Sequence, residues 1–377
     1  MNLIKISTPN LSATDPCALE NILKSGNLVQ GKYVAELERA LSDYLDIPYV
    51  ALVSSGTAAL HLSLLALELP EGSGVIVPDF TFPATVNAVL LAGLTPVIAD
   101  VCPERYVLTE ASAREALALA EAQGLQVTAL MPVHEFGQPV DPEGLLRLAQ
   151  QEELKVIEDA ACALGARYQL GGQWQRVGAL GALACFSFHP RKTLTTGEGG
   201  AVATHSRALY ERVLELRSHG MRRDASGRVS FERAGFNYRM TDIQASIGLP
   251  QLPQLDGWLT QRRALAERYH ELLADTDCEL PPLTEGHSWQ TFMVRTPVHI
   301  DRDQLIKELR ARGVEANIGA QVLSELPYLS PYLRPAQLTH QLGPRSLALP
   351  LCESYSEREL KVVTSALKEA ISALSKA

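Results

Sequence analysis

Residues 49–100 read YVALVSSGTAALHLSLLALELPEGSGVIVPDFTFPATVNAVLLAGLTPVIAD. Three short β-rich runs lie in it, YVALVSS (49–55), GVIVPD (74–79) and TPVIAD (95–100), and apolar stretches of helical length separate them. Strand-like and helical runs in alternation are the pattern of a parallel sheet covered by helices, so the fold class is α/β. The same alternation continues through TALMPVH (128–134), KVIEDAA (155–161) and ALACFSF (182–188). Upstream, Asp15 is placed to cap a helix that has Pro16 at its first position and Gly26 at its end. A second helix follows in YVAELERALSDYLD, with Val34, Leu37, Leu41 and Leu45 on one face.

The character changes after about residue 250. From Leu252 onward, LTQRRALAERYHELLAD, DRDQLIKELRARG and SERELKVVTSALKEAISALS are amphipathic helices, separated by the strand-like TFMVRTPV and a Pro/Leu-rich stretch near 326–350. The last opens with a capping box, Ser356 to Glu359, and lines up Leu360, Val363, Leu367, Ile371 and Leu374. We therefore expect a large three-layer domain over 1–250, a mainly parallel sheet flanked by helices, and a smaller C-terminal α+β domain over 251–377.

The chain has 377 residues, 34 basic and 43 acidic, for a net charge of −9. With 46% apolar residues it is globular, not disordered, and its pI near 5.6 leaves no electrostatic footprint for nucleic acid or an anionic membrane. The most apolar stretch, Pro83 to Ala99, is interrupted by Asn87, Gly93 and Pro96 and falls short of the ~20 residues that span a bilayer. No apolar signal region follows Met1, so we expect a cytoplasmic protein. Cys17, Cys102, Cys162, Cys185, Cys278 and Cys352 are dispersed without a CxxC pair, and buried free thiols are the expected state for all but Cys162. GxGxxG, GxxxxGK[ST] and GxSxG are absent, and His134-Glu135 does not extend to HExxH; no metal is expected.

Four segments carry chemistry together. In VSSGTAALHLSLLAL a strand ends at Ser54-Ser55, Gly56 turns the chain, and a helix begins near Thr57 whose N-terminus suits a phosphate. In VIEDAACALGARY, Asp159 ends an apolar strand at the sheet edge where α/β folds bind ligands, and Glu158 should face the other way. A carboxylate at that place can hold a pyridine nitrogen protonated. In CFSFHPRKTLTTGEGGAVAT, Lys192 follows a buried strand in a loop, as a Schiff-base lysine must, with desolvation expected to lower its pKa. Ser187 in the same run can reach a phosphate. GFNYRMTDIQASIG (235–248) is dense in polar residues and reads as a contact site.

These segments, together with GNLVQGKYV (26–34), VPDFTFPATVNAV, MPVHEFGQPVD and RSHGM, resemble the DegT/DnrJ/StrS family of pyridoxal-phosphate-dependent sugar aminotransferases, which have the fold type I of aspartate aminotransferase. The resemblance covers roughly residues 10–260. It implies that Lys192 forms the Schiff base with pyridoxal 5'-phosphate and shuttles the proton, and that Asp159 pairs with the ring nitrogen. It implies further that Phe82 stacks on the ring and that Gly56, Thr57 and Ser187 cradle the phosphate. Asn237 would reach the phosphate of the other subunit, so a homodimer with shared active sites is expected. Arg239 and His189 are the candidates for substrate binding, Arg239 for the donor's carboxylate.

The chain departs from the family pattern twice. Cys162 stands where glutamine or histidine usually contacts the cofactor. NIGAQVLSELPYL (317–329) replaces the common segment that shapes the sugar pocket. The activity implied is a ping-pong transfer from glutamate or glutamine to a keto sugar, with a nucleotide-linked sugar favoured over a free keto-sugar acid or a cyclitol ketone. The alternatives are a sugar dehydratase of the same family, which carries histidine where Lys192 stands, and a non-catalytic cofactor-binding regulator.

Overall fold

Seven strands form the central sheet of the computed structural model, which describes residues 3–224, 226–332 and 338–376. They are β1 (Tyr49–Val53), β2 (Gly74–Pro78), β3 (Thr95–Ala99), β4 (Val127–Leu130), β5 (Lys155–Asp159), β6 (Leu183–Ser187) and β7 (Gly200–Thr204). The order across the sheet is β1-β7-β6-β5-β4-β2-β3, and every pair is parallel except the two that β7 makes with β1 and β6. All six strand-like runs of the sequence are present, and β7 is the strand that the Gly-rich run after Lys192 leads into.

Alternate residues of each strand feed two separate cores. Val50 and Leu52 of β1 pack with α2 (Lys32–Leu45), α5 (Glu110–Ala122) and α6 (Pro142–Gln151) on one face. Ala51 and Val53 pack with α3 (Gly56–Ala66), α4 (Ala84–Leu91) and α7 (Arg207–Leu216) on the other. The period of two along a strand makes this division, and helices on both faces are what a parallel sheet requires. In α2 the buried residues are Val34, Leu37, Leu41 and Leu45, as the spacing predicts. Each such leucine is worth about 1.5–3 kcal/mol when fully buried. The helix ahead of it, α1 (Pro16–Ser25), has the Asp15 side chain accepting from the Cys17 N–H and Gly26 in a left-handed conformation at its end.

Beyond α8 (Asp242–Gly248) lies a third apolar cluster, built from α9 (Leu255–Leu273), α10 (Arg302–Ala311) and, after the short α11 (Thr339–Leu342), α12 (Glu357–Leu374). These pack on the antiparallel pair β8 (Phe292–Arg295) and β9 (Ser346–Leu349). The Ser356/Glu359 capping box forms, and Leu360, Val363 and Leu367 are buried on the expected stripe. Part of the Pro/Leu-rich stretch, residues 333–337, lies outside the described residues. The N-terminal segment joins this layer, not the large sheet: Ile4 bridges Val314, and Leu351 N–H donates to the Ile6 carbonyl. No helix among the described residues is long and apolar enough to cross a membrane.

One expectation for the cysteines is corrected. Cys185, Cys278 and Cys352 are buried free thiols, but Cys17 is exposed and Cys102 is half-buried. Cys17 sits in the first turn of α1, away from that helix's buried pair Ala18 and Ile22, and the Cys102 thiol donates to Glu104 at 3.0 Å.

Candidate active site

The C-terminal ends of β2, β4, β5 and β6 open into one cavity of about 220 Å³, lined also by Asn317 and Gln290 of the C-terminal part and by Ile6 and Ser7. At its floor, β5 delivers two adjacent acids to opposite faces. Asp159 turns into the cavity, 3% exposed, where Thr85 Oγ1 donates to its Oδ2 at 2.8 Å and the Ala161 N–H to its Oδ1 at 3.1 Å. Burial raises its pKa, against those two bonds and the pull of Lys192. Glu158 points the other way, as the pleat requires. It is fully buried and receives His134 Nε2 at 2.9 Å and the Leu180 N–H at 2.7 Å. The Val140 N–H donates to His134 Nδ1, so the ring carries its proton on Nε2, and both residues are spent on structure.

The phosphate-like end is built by β1, α3 and β6. Ser55 caps α3 by accepting from the Ala58 N–H at 3.1 Å, which leaves the N–H groups of the first turn facing outward. Gly56 is held against Ser187 so closely that a Cβ there would stand 2.8 Å from the Ser187 Cβ, and a Cβ on Gly200 would stand 2.5 Å from the Ser55 carbonyl oxygen. Glycine at 56 is thus needed to bring the helix start, the Thr57 hydroxyl and Ser187 to one end of the cavity. Gly56→Ala is expected to cost about 1–3 kcal/mol, the price of an overpacked contact, read as a lower urea midpoint at unchanged slope.

Lys192 comes from the loop after β6. The loop is anchored by Gln251, which donates to the Thr195 carbonyl at 2.8 Å and accepts from the Thr195 N–H at 3.1 Å. Lys192 Nζ donates to Cys162 Sγ at 2.9 Å. Burial pulls the ammonium toward its neutral form, but Cys162, Glu135 and Asp159 around it more than offset this and set its pKa above the ordinary lysine value. The expectation of a lysine neutralised by desolvation is therefore corrected: the acids that converge on it from β4 and β5 outweigh the loss of water. Burial likewise pushes the Cys162 thiol up, against the pull of Lys192.

Phe82 lines the cavity and is 60% exposed, an open ring face with nothing stacked on it among the described residues. It follows the two-residue strand Phe80–Thr81, which pairs with Gln321–Val322 of the 317–329 loop. Asp79 fastens the same loop by accepting from the Ser324 N–H and hydroxyl, each at 2.7 Å. The loop expected to recognise the acceptor is thus fixed at the cavity edge. His189 also lines the cavity, its pKa lowered by burial.

Gly56, Thr57, Phe82, Asp159, Cys162, Ser187, His189 and Lys192 therefore converge. Asn237 and Arg239 do not line the cavity of their own chain: Asn237 bridges Ser218, and Arg239 bridges Val53 at the end of β1. Sequence reasoning passed over Glu135. Only 5% exposed, it lines the cavity, and burial raises its pKa to about 7, with Lys192 opposing and Asp159 assisting. The signal was an acid inside the apolar run TALMPVHEFG, which reads otherwise only as half of a zinc motif. No group of three or more metal-ligating side chains occurs among the described residues.

Comparison with known proteins gives concordant results. Residues 9–368 match the model of the DegT/DnrJ/EryC1/StrS aminotransferase family. The chain is 36% identical over 351 residues to GDP-perosamine synthase of Caulobacter vibrioides, covering 90% of this chain and 91% of that protein. Among solved structures it is similar to DesV of S. venezuelae in complex with a ketimine intermediate, at 31% identity and a TM-score of 0.86 over 98% and 99% of the two chains. It is also similar to NtdA of Bacillus subtilis with bound cofactor PMP, at 29% identity and a TM-score of 0.83 over 99% of this chain and 86% of that one.

Proposed function

Because the chain belongs to the DegT/DnrJ/EryC1/StrS aminotransferase family, we propose that it is a pyridoxal-phosphate-dependent transaminase that moves an amino group from glutamate, or glutamine, to a keto sugar carried on a nucleotide. The observation that carries this reading is the meeting, in one cavity, of a lysine amine, a buried aspartate and a helix N-terminus. The relative named GDP-perosamine synthase supports a nucleotide-linked sugar as acceptor.

The donor set fits pyridoxal phosphate. The first turn of α3 with Thr57 and Ser187 would hold the phosphate, and the tight Gly56–Ser187 contact forms the cradle that a Cβ would fill. Asp159 would hold the ring nitrogen and Lys192 the aldehyde carbon. When bound, the cofactor supplies an electron sink for the carbon that loses or gains a proton.

The chain's own residues do the rest. Asp159, fixed by Thr85 and the Ala161 N–H, would keep the proton on the ring nitrogen. Lys192 Nζ would take the proton from the donor carbon and deliver it to the cofactor carbon that had carried the lysine, and would run the same transfer in reverse toward the acceptor carbon, a general base and acid in turn. In the ligand-free site that nitrogen is an ammonium, so it must first lose a proton, and Cys162 Sγ accepts its hydrogen bond at 2.9 Å. Phe82 offers its open face to the ring. Asn237 and Arg239 lie outside their own chain's cavity, which supports their serving a second copy's site in a homodimer.

The acceptor is tested by charging the protein with glutamate, removing the amino acid, and adding nucleotide-linked keto sugars, a free keto-sugar acid and a cyclitol ketone in separate reactions. Amination of the nucleotide-linked sugars by at least tenfold over the others, about 1.4 kcal/mol of discrimination, is the expected result. Amination of the cyclitol or the free acid alone contradicts the reading.

A further inference from the structure

The strand order orients anything held between α3 and Asp159. Across the sheet the sequence of strands is β1, β7, β6, β5, β4, β2. Gly56 and Thr57 follow β1 and Ser187 ends β6, so the phosphate cradle lies on one side of Asp159, which ends β5. Glu135, which follows β4, lies on the other side, with Thr81 beyond it after β2. On pyridoxal phosphate the phosphate arm and the 3-hydroxyl flank the carbon that takes the lysine, one on each edge of the ring. A ring tethered by its phosphate at α3 and by its nitrogen at Asp159 turns its 3-oxygen toward the β4 side.

We propose that Glu135, as a protonated carboxyl, donates the hydrogen bond that the cofactor's 3-oxygen receives in this protein, at the place where Cys162 leaves only a weak donor. This rests on the cofactor reading above. Two structural observations support it. Glu135 is 5% exposed yet lines the cavity, and its neighbour on the chain, Phe136, is held at φ 58, a left-handed conformation rare for a bulky residue that bends the chain into the site. Cys162 Sγ is already engaged by Lys192 Nζ, and a thiol donates poorly.

The charge balance agrees with the geometry. Lys192, from the loop after β6, favours the ionised form of Glu135, while Asp159, from β5, and burial oppose it; the Thr81 hydroxyl hydrogen-bonds to it from the β2 side, and Cys162 faces the same lysine. His189, Arg191 and Glu198 are the other titratable side chains lining the cavity, and His134, beside Glu135 in sequence, is turned to Glu158. The balance leaves the Glu135 pKa at about 7. Below that value the carboxyl is a donor. Above it, a carboxylate faces an electron-rich oxygen and the contact turns repulsive.

Binding of pyridoxal phosphate to the unloaded protein, measured by equilibrium dialysis at about pH 6 and about pH 8.5, separates the possibilities. Wild-type affinity should fall across that range by about fivefold more than that of Glu135→Gln, whose amide donates at both values. Parallel pH profiles for the two proteins overturn the assignment. Absence of binding by the wild type at both pH values overturns the cofactor reading itself, and this inference with it. Should Glu135→Gln fail to fold, infrared difference spectra of wild-type protein labelled at its glutamate carboxyls give the answer. A protonated-carboxyl band present at about pH 6 that shifts in frequency on loading, as a new hydrogen bond requires, supports the assignment, and a band that does not move contradicts it.

Discussion

The Lys192→Ala variant is expected to lose transamination by at least about 10⁴-fold, because the same nitrogen both anchors the cofactor and moves the proton, and each role alone contributes substantially. The loss should appear in 2-oxoglutarate release from glutamate and in the disappearance of the absorbance of lysine-bound cofactor. A fold defect is separated from lost chemistry by adding a small primary amine. Methylamine should restore part of the turnover, since it can carry the proton that Lys192 carried, whereas a misfolded site would not respond. Variant turnover within tenfold of wild type would show that another group is the base.

Asp159→Asn should give the second largest loss of activity, with stability unchanged or raised. Asparagine keeps the size of the side chain and can still receive the Thr85 hydroxyl, but its amide cannot hold a proton on the ring nitrogen. Loss of that preorganised charge is expected to lower kcat by about 10²–10³-fold. Burial raises the Asp159 pKa in the ligand-free protein. A carboxyl whose folded pKa exceeds its unfolded value disfavours the folded state at pH values above both, because ionising it inside the protein costs more than in water. The asparagine variant without cofactor should therefore unfold at the same temperature as wild type or higher at neutral pH, while being the poorer enzyme. A fall in both Tm and kcat would place Asp159 in the fold's support instead.

Much of this site could be read from residues that sequence pattern places directly. Asp159 could be found because it ends an apolar strand, and Gly56 because it joins a strand to an apolar helix; both features are local. The caps of α1 and α12, and the buried stripe of α2, were legible for the same reason. What local pattern does not carry is which distant loops meet. The raised pKa of Lys192 depends on Glu135, Asp159 and Cys162, which are 57, 33 and 30 residues away along the chain and are brought together only by the order of β4, β5 and β6. Glu135 stayed hidden because an acid after a strand is ordinarily a solvated turn residue, and the inward bend at Phe136 that buries it has no sequence signal. The placement of β7 between β1 and β6, antiparallel to both, is likewise a tertiary fact, as is the joining of Ile4 to Val314.

The central claim is that the cavity at the ends of β2, β4, β5 and β6 runs the first half of a transamination on Lys192. It is tested most directly by loading the purified protein with pyridoxal phosphate, removing the excess, and adding glutamate with no acceptor present. The account predicts loss of the lysine-bound absorbance together with release of about one 2-oxoglutarate per chain, and neither change in Lys192→Ala. Unchanged absorbance and no 2-oxoglutarate from the loaded wild type, with glutamine equally inert, would contradict it.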